Sequence, residues 1–203
     1  MTGLPLDPPP PDTIPSPGVV VLGRFQPFHR GHESMVTAAE NWRSSNRPDD
    51  RLIICIGSSN RPQSMENPWN LEERAAMVEA WLSDQELNAE IVGIPDINDP
   101  PNWVRHAEVY HGSPGTLFTT DLASAELYEA AGWEVILDDL EMRESFEGWR
   151  VRATAQMMST VSDDDAVIAV LSQTVPHSVV MHLIGEGGIA RLAFLGEGGE
   201  PVG

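Results

Sequence analysis

Lysine is missing altogether from this 203-residue chain, so all 12 of its basic side chains are arginine. That excludes a P-loop kinase, whose G-x-x-x-x-G-K-[ST] loop requires a lysine. Against 31 carboxylates the arginines leave a net charge of −19. So acidic a surface argues against a general grip on nucleic acid, which needs a broad cationic face. Exposed charges reach only about 8 Å at physiological salt, so a local arginine cluster can still hold small anionic nucleotides. Cysteine is nearly missing too. The lone Cys55 excludes an internal disulfide and a cysteine zinc cluster, and its apolar neighbours mark it as core. No apolar run reaches 18 residues, and the first residues carry neither a basic region nor a continuous apolar stretch. Neither a transmembrane span nor a secretory signal is therefore expected, and the expected setting is cytoplasmic.

What is present first is proline. Seven of the first 17 residues are proline, four of them consecutive at Pro8 to Pro11, and little there could build a core, so an extended or disordered tail is expected over 1–17. From Gly18 onward apolar runs alternate with helical periodicity, the pattern of a parallel sheet wrapped by helices. The size suits one α/β domain, expected over 18–195 with a helical C-terminal part, followed by a flexible tail at 196–203. Strands are expected at Val19–Leu22, Arg51–Ile56, Ala89–Ile94, Gly115–Thr119 and Glu134–Leu137, with a first helix from Glu33 to Arg43. Asn70, with Glu73 three residues on, reads as a helix cap that puts Trp81 in the core. Asp121 reads as another cap, for a helix that Gly132 ends.

Gly23 to His32, GRFQPFHRGH, sits where the first strand hands over to the first helix. The opening turn of a helix has N–H groups without intrahelical partners and a dipole that favours an anion. Arg24, His29, Arg30 and His32 add donors beside it. His29 and His32 stand about one turn apart, and Gly31 between them leaves no Cβ to obstruct a ligand against the backbone. Two imidazoles suit a phosphorus centre that gathers negative charge.

GRFQPFHRGH resembles the histidine motif of the nucleotidylyltransferase superfamily, and in this wording the archaeal-type nicotinamide-nucleotide adenylyltransferases. The resemblance runs from about Gly18 to Leu192. It implies a Rossmann-like nucleotidyltransferase fold and adenylyl transfer from ATP to nicotinamide mononucleotide, giving NAD and pyrophosphate with a divalent metal, Mg²⁺. By resemblance, His29, His32 and Arg24 are the catalytic candidates, and Gly23, Phe25, Gln26 and Gly31 belong with the ATP phosphates. Gly57 to Arg74 resembles the second motif, which assigns Ser58, Asn67 and Arg74 to the mononucleotide. Ile94-Pro95-Asp96-Ile97 and Trp103 look like the nicotinamide side, where an aromatic face on a pyridinium ring is worth roughly 0.5 to 2 kcal/mol. Asn67-Pro68 also reads as a plain turn, and Trp103 as core. Relatives carry Gly-Asn or Asn-Asn where Thr120-Asp121 stands here.

The last motif departs from the pattern. In Arg143 to Arg152, RESFEGWRVR, the residues Arg143, Phe146, Gly148 and Arg152 persist. Glu147 replaces a serine and Trp149 a threonine, where relatives hold the triphosphate. A Glu147 charge about 4 Å from a phosphate would oppose binding by roughly 4 kcal/mol at an effective dielectric of 20. Either Glu147 turns toward Arg150 and leaves Arg152 for the phosphates, or it holds Mg²⁺, or ATP binds differently here. The first is preferred, because Arg150 is itself an added cation.

Two other features read as structural. Asp163-Asp164-Asp165 fits a helix start rather than a metal site, and Gly185 to Ala190 matches a dinucleotide fingerprint without the chain needed for a βαβ unit. The rival functions are transfer to another phosphorylated acceptor and a nucleotide-binding homologue without turnover. The resemblance also implies a homo-oligomer, a hexamer in many relatives.

Overall fold

The computed structural model describes residues 5–139 and 146–195. The domain expected over 18–195 is organised as two compact units, the first holding described residues 5–24, 32–61 and 87–139 and the second 25–31, 62–86 and 146–195. The tail expected at 196–203 and the candidate Arg143 lie outside the described residues.

The first unit is built on a parallel sheet of β1 (Gly18–Gly23), β2 (Arg51–Ile56), β3 (Glu90–Gly93), β4 (Thr116–Thr119) and β5 (Glu134–Leu137). Their order is β3-β2-β1-β4-β5. Val19 to Val21 are wholly buried, as the continuous apolar run of a parallel strand requires. The chain steps from β1 outward to β3, then returns to the other flank at β4. The strand order therefore reverses between β1 and β4, and in such sheets ligands bind outside the carboxyl ends of the strands at that reversal. Tyr110, Tyr128 and Trp133 pack around Val20 and Ile53 to complete this core.

Helices α1 (Arg30–Asn46), α3 (Trp103–His111) and α4 (Leu122–Ala130) connect these strands. Asp121 caps α4 by accepting from the Ser124 N–H at 2.8 Å, and Gly132 ends the turn at φ +85°, both as expected. Helix α1 begins three residues before the expected Glu33. Its first N–H, on Arg30, is bonded to the carbonyl of Thr174 at 2.8 Å, a partner that no local pattern reveals.

In the second unit α2 (Leu71–Asp84) carries the expected capping box: Asn70 Oδ1 accepts from Glu73 N–H, and Glu73 Oε2 from Asn70 N–H, both at 2.9 Å. Trp81 is fully buried with its ring 5.0 Å from that of Phe28. The unit continues through α5 (Gly148–Met158), α6 (Asp164–Leu171), α7 (His177–Gly185) and the short α8 (Leu192–Leu195). Asp163 caps α6 through the N–H groups of Asp165 and Ala166, so the aspartates start a helix. Residues 186–188 are a turn after α7, with no βαβ unit.

Candidate active site

The first unit holds a cleft of ≈ 440 Å³ at the carboxyl ends of the strands. Gly23 and Arg24 enter it from the end of β1, Gly57 and Ser58 from β2, and Asp96 from the segment after β3. Trp103 and Asp121 close it from the starts of α3 and α4. The strand ends stay pinned beyond the ladder: Gly57 N–H bonds Gly23 O at 2.9 Å, and Ser59 N–H bonds Ile94 O at 3.1 Å. Ser58 takes φ +53°, a left-handed conformation costing a serine roughly 1 to 2 kcal/mol, and such outliers concentrate at ligand sites.

Asp96 is held rather than mobile. Its carboxylate accepts from Arg61 Nε at 3.0 Å, from Arg61 Nη2, and from the Asn98 N–H at 2.9 Å. Burial alone would raise its pKa, but these bonds outweigh it and keep the carboxyl below its usual range. Trp103 is half-buried: it packs against the core and lines both this cleft and an adjoining recess of ≈ 370 Å³. It is thus core and cleft wall at once.

The GRFQPFHRGH segment supplies Gly23, Arg24 and His32 to the first unit and 25–31 to the second. Phe25 is fully buried at φ +50°. Gln26, expected with the ATP phosphates, has its side-chain amide turned inward: it donates to Trp69 O at 2.8 Å and accepts from Trp69 N–H at 3.1 Å. Arg30 directs its guanidinium onto Ser172 O at 2.9 and 3.1 Å, which commits that cation to the second unit's fold.

His29 immediately precedes α1 and is almost completely buried. Burial, and after it the charge of Arg152, lower its pKa from 6.5 to about 4. At neutral pH it is therefore an uncharged imidazole, a hydrogen-bond donor rather than a cation. Arg152 Nη1 donates to the Gln26 carbonyl at 2.9 Å. A Cβ built on Gly148 would lie 3.2 Å from Arg152 Nη1 and 3.9 Å from His29 Nε2. The histidine motif and the last motif thus meet within the second unit. Gly31 has a reason other than the expected ligand access, since a Cβ there would fall 2.9 Å from Phe146 Cβ and 3.1 Å from His29 Cε1.

Glu147 pairs with Arg150, the first half of the preferred account. Its Oε2 accepts from Arg150 Nε at 3.0 Å and from Trp149 Nε1 at 2.8 Å. The Arg150 guanidinium also lies 4.7 Å over the Trp149 ring. Arg74 is buried, with Nε on Asn70 O at 3.1 Å, and Asn67 closes a turn with Ser64. Both are placed as parts of the second unit's fold. Sequence reasoning misses Asn60 and Arg61, which hold Asp96; their one signal is their place just after Gly57-Ser58-Ser59.

A parallel sheet with a cleft at its strand reversal, whose first strand runs on into paired histidines at a helix start, defines a nucleotide-handling α/β protein. Residues 20–142 match the cytidylyltransferase-like family. The chain belongs to that family and is a nucleotidyltransferase. A nicotinamide-nucleotide adenylyltransferase of Haloarcula marismortui is 29% identical over 180 residues, 87% of this chain and 92% of the relative. One from Ignicoccus hospitalis is 32% identical over 134 residues, covering 64% and 75% respectively. Among solved structures, a bifunctional NMN adenylyltransferase/ADP ribose pyrophosphatase from Francisella tularensis shares the fold. In its complex with AMP and a Mn ion it superposes with TM-score 0.60 at 16% identity, over 86% of this chain and 51% of the other. The chain spans about half the length of that protein.

Among the described residues no group of three or more His, Cys, Asp or Glu could hold a metal ion. The described side chains thus do not fit a resident metal cage. No described helix is long and apolar enough to cross a membrane.

Proposed function

We propose that this chain transfers the adenylyl group of ATP to nicotinamide mononucleotide, giving NAD and pyrophosphate. The observation that carries the reading is the convergence of His29 with Arg152 and Gly148, residues of two motifs far apart in the chain. The relatives named for this reaction support it.

An oxygen of the mononucleotide's phosphate forms a bond to the α-phosphorus of ATP. The bond from that phosphorus to the β-phosphate oxygen breaks, and pyrophosphate leaves with the electron pair. No protein nucleophile is needed, so the side chains act by alignment and charge stabilisation. From the second unit we assign His29 to donate a hydrogen bond as a neutral imidazole, and Arg152 to offset phosphate charge. From the first we assign Arg24 and His32 to phosphate charge, and Ser58, Asp96 and Trp103 to the mononucleotide. Arg143 keeps its assignment to ATP.

A divalent cation, Mg²⁺ in this reading, would arrive on the nucleotide's phosphates with most of its water retained. The reading also makes the chain a homo-oligomer, and with ATP and a mononucleotide as substrates its compartment is the cytoplasm. Incubation with ATP, Mg²⁺ and nicotinamide mononucleotide, followed by mass spectrometry, should yield NAD. Product only with another phosphorylated acceptor, or nucleotide binding without turnover across an acceptor panel, would overturn it.

A further inference from the structure

Residues 5–17, the described part of the proline-rich stretch before β1, have no helix or strand, yet they are fastened at several points to the rest of the first unit. Asn60 Nδ2 donates to Pro5 O at 2.8 Å, Ser59 Oγ to Asp7 O at 2.5 Å, and Tyr110 OH to Pro8 O at 3.1 Å. Farther along, Arg51 donates to Ser16 O. Gly112, at φ +83°, lets the strap pass so closely that a Cβ there would fall 2.4 Å from Pro15 O. Four consecutive prolines stiffen its middle, so little conformational entropy is lost in laying it down.

Two of these fastenings lead to the cleft wall. The Asn60 amide that holds Pro5 also donates to Asp96 O at 3.0 Å and accepts from Asp96 N–H at 2.8 Å. The Tyr110 ring that holds Pro8 meets His106 edge-on at 5.2 Å. His106 in turn bonds Pro95 O at 2.8 Å and lies 5.8 Å from the Trp103 ring. The first route ends on Asp96 and the second on Trp103, residues that line the cleft and its adjoining recess.

We propose that the strap is a positioning element for the mononucleotide side of the cleft, acting through Asn60 and Tyr110 as positioning residues. The assignment of that side rests on the proposed reaction; the coupling of strap to cleft wall does not. The experiment uses full-length variants and two readouts. Asn60→Leu removes the amide bonds to both strap and Asp96. Ser59→Ala with Tyr110→Phe releases two strap anchors and leaves the Asn60 bonds in place.

Hydrogen exchange should quicken at the amides of Asp96 to Asn98 in both variants. The KM for the mononucleotide should rise about 5- to 30-fold, as the loss of two or three hydrogen bonds implies, with kcat and the KM for ATP little changed. If the Ser59→Ala/Tyr110→Phe variant exchanges and turns over like the parent chain, the strap does not position the wall. Faster exchange with an unchanged KM reduces it to a stabilising wrap and equally overturns the proposal. If the parent chain makes no NAD, the proposed function fails, while the exchange readout still decides whether the strap holds the wall.

Discussion

Arg152 reaches from α5 to donate to the backbone carbonyl of Gln26 at 2.9 Å, and that bond sets a guanidinium beside His29. The pair has a consequence for stability. Burial and the neighbouring cation lower the His29 pKa from 6.5 to about 4, so the folded protein favours the neutral ring. Between those values the unfolded chain binds a proton that the folded one refuses. The stability is therefore fully present above pH 6.5 and is lost as pH falls toward 4, by about 3 kcal/mol. Urea unfolding at stepped pH should show this slope in the parent chain. In His29→Gln the stability lost between pH 6.5 and 4 should be smaller by about that amount; parallel curves would contradict the assignment.

Gly31 packs so tightly that even one methyl group has no room. The Cβ of Gly31→Ala would sit 2.9 Å from Phe146 Cβ, an atom of the chain's own frame rather than the tip of a flexible side chain. Overpacking of this kind costs about 1 to 3 kcal/mol and displaces whatever yields. Here His29 or Phe146 must yield, so activity should fall more than stability does. Phe146→Gly removes the opposing Cβ, and a double-mutant cycle should show partial rescue of Gly31→Ala. Strict additivity of the two changes would argue against the contact.

Much of the fold is legible in the sequence wherever the deciding bonds are local. The strands announce themselves as short apolar runs, and the Asn70 and Asp121 caps are readable because their bonds close within three residues. The start of α1 is not, because the Arg30 N–H depends on Thr174, far along the chain. The bonding of Gln26 is unreadable for the same reason: nothing local says that its amide completes the Trp69 backbone. Residues 5–17 read as part of a loose tail because little there could build a core. Their carbonyls still accept hydrogen bonds, and the donors Asn60 and Tyr110 lie well downstream.

Under the proposed reaction, the position of Glu147 makes its effect on ATP binding testable. Its carboxylate lies on the exposed start of α5 with Arg150 and Trp149, a surface pairing worth at most about 1 kcal/mol. As the residue preceding α5 it makes no side-chain capping bond, whereas a serine at such a position commonly does. Glu147→Ser should raise stability by about 0.5 to 1 kcal/mol. Calorimetry with Mg²⁺ present should find ATP binding equal or tighter, because one carboxylate has gone. A collapse of metal-dependent binding would show instead that Glu147 helps to carry the cation.

Under the proposed reaction, Trp103 should separate the two substrates. Its ring is half-buried and lines the cleft and the recess beside Asp96, so replacement by leucine keeps the apolar packing toward Val104 and the core while removing the flat face. Stacking and cation–π attraction worth roughly 0.5 to 2 kcal/mol correspond to a 2- to 30-fold change in affinity. Trp103→Leu should therefore raise the KM for nicotinamide mononucleotide within that range and leave the KM for ATP where it was. Nicotinic acid mononucleotide provides the internal control: its ring stacks as well but adds a carboxylate, which the nearby Asp96 opposes. A rise confined to ATP would move the adenine to this wall, and equal rises for both substrates would mean that Trp103 shapes the cleft as a whole rather than holding one ring.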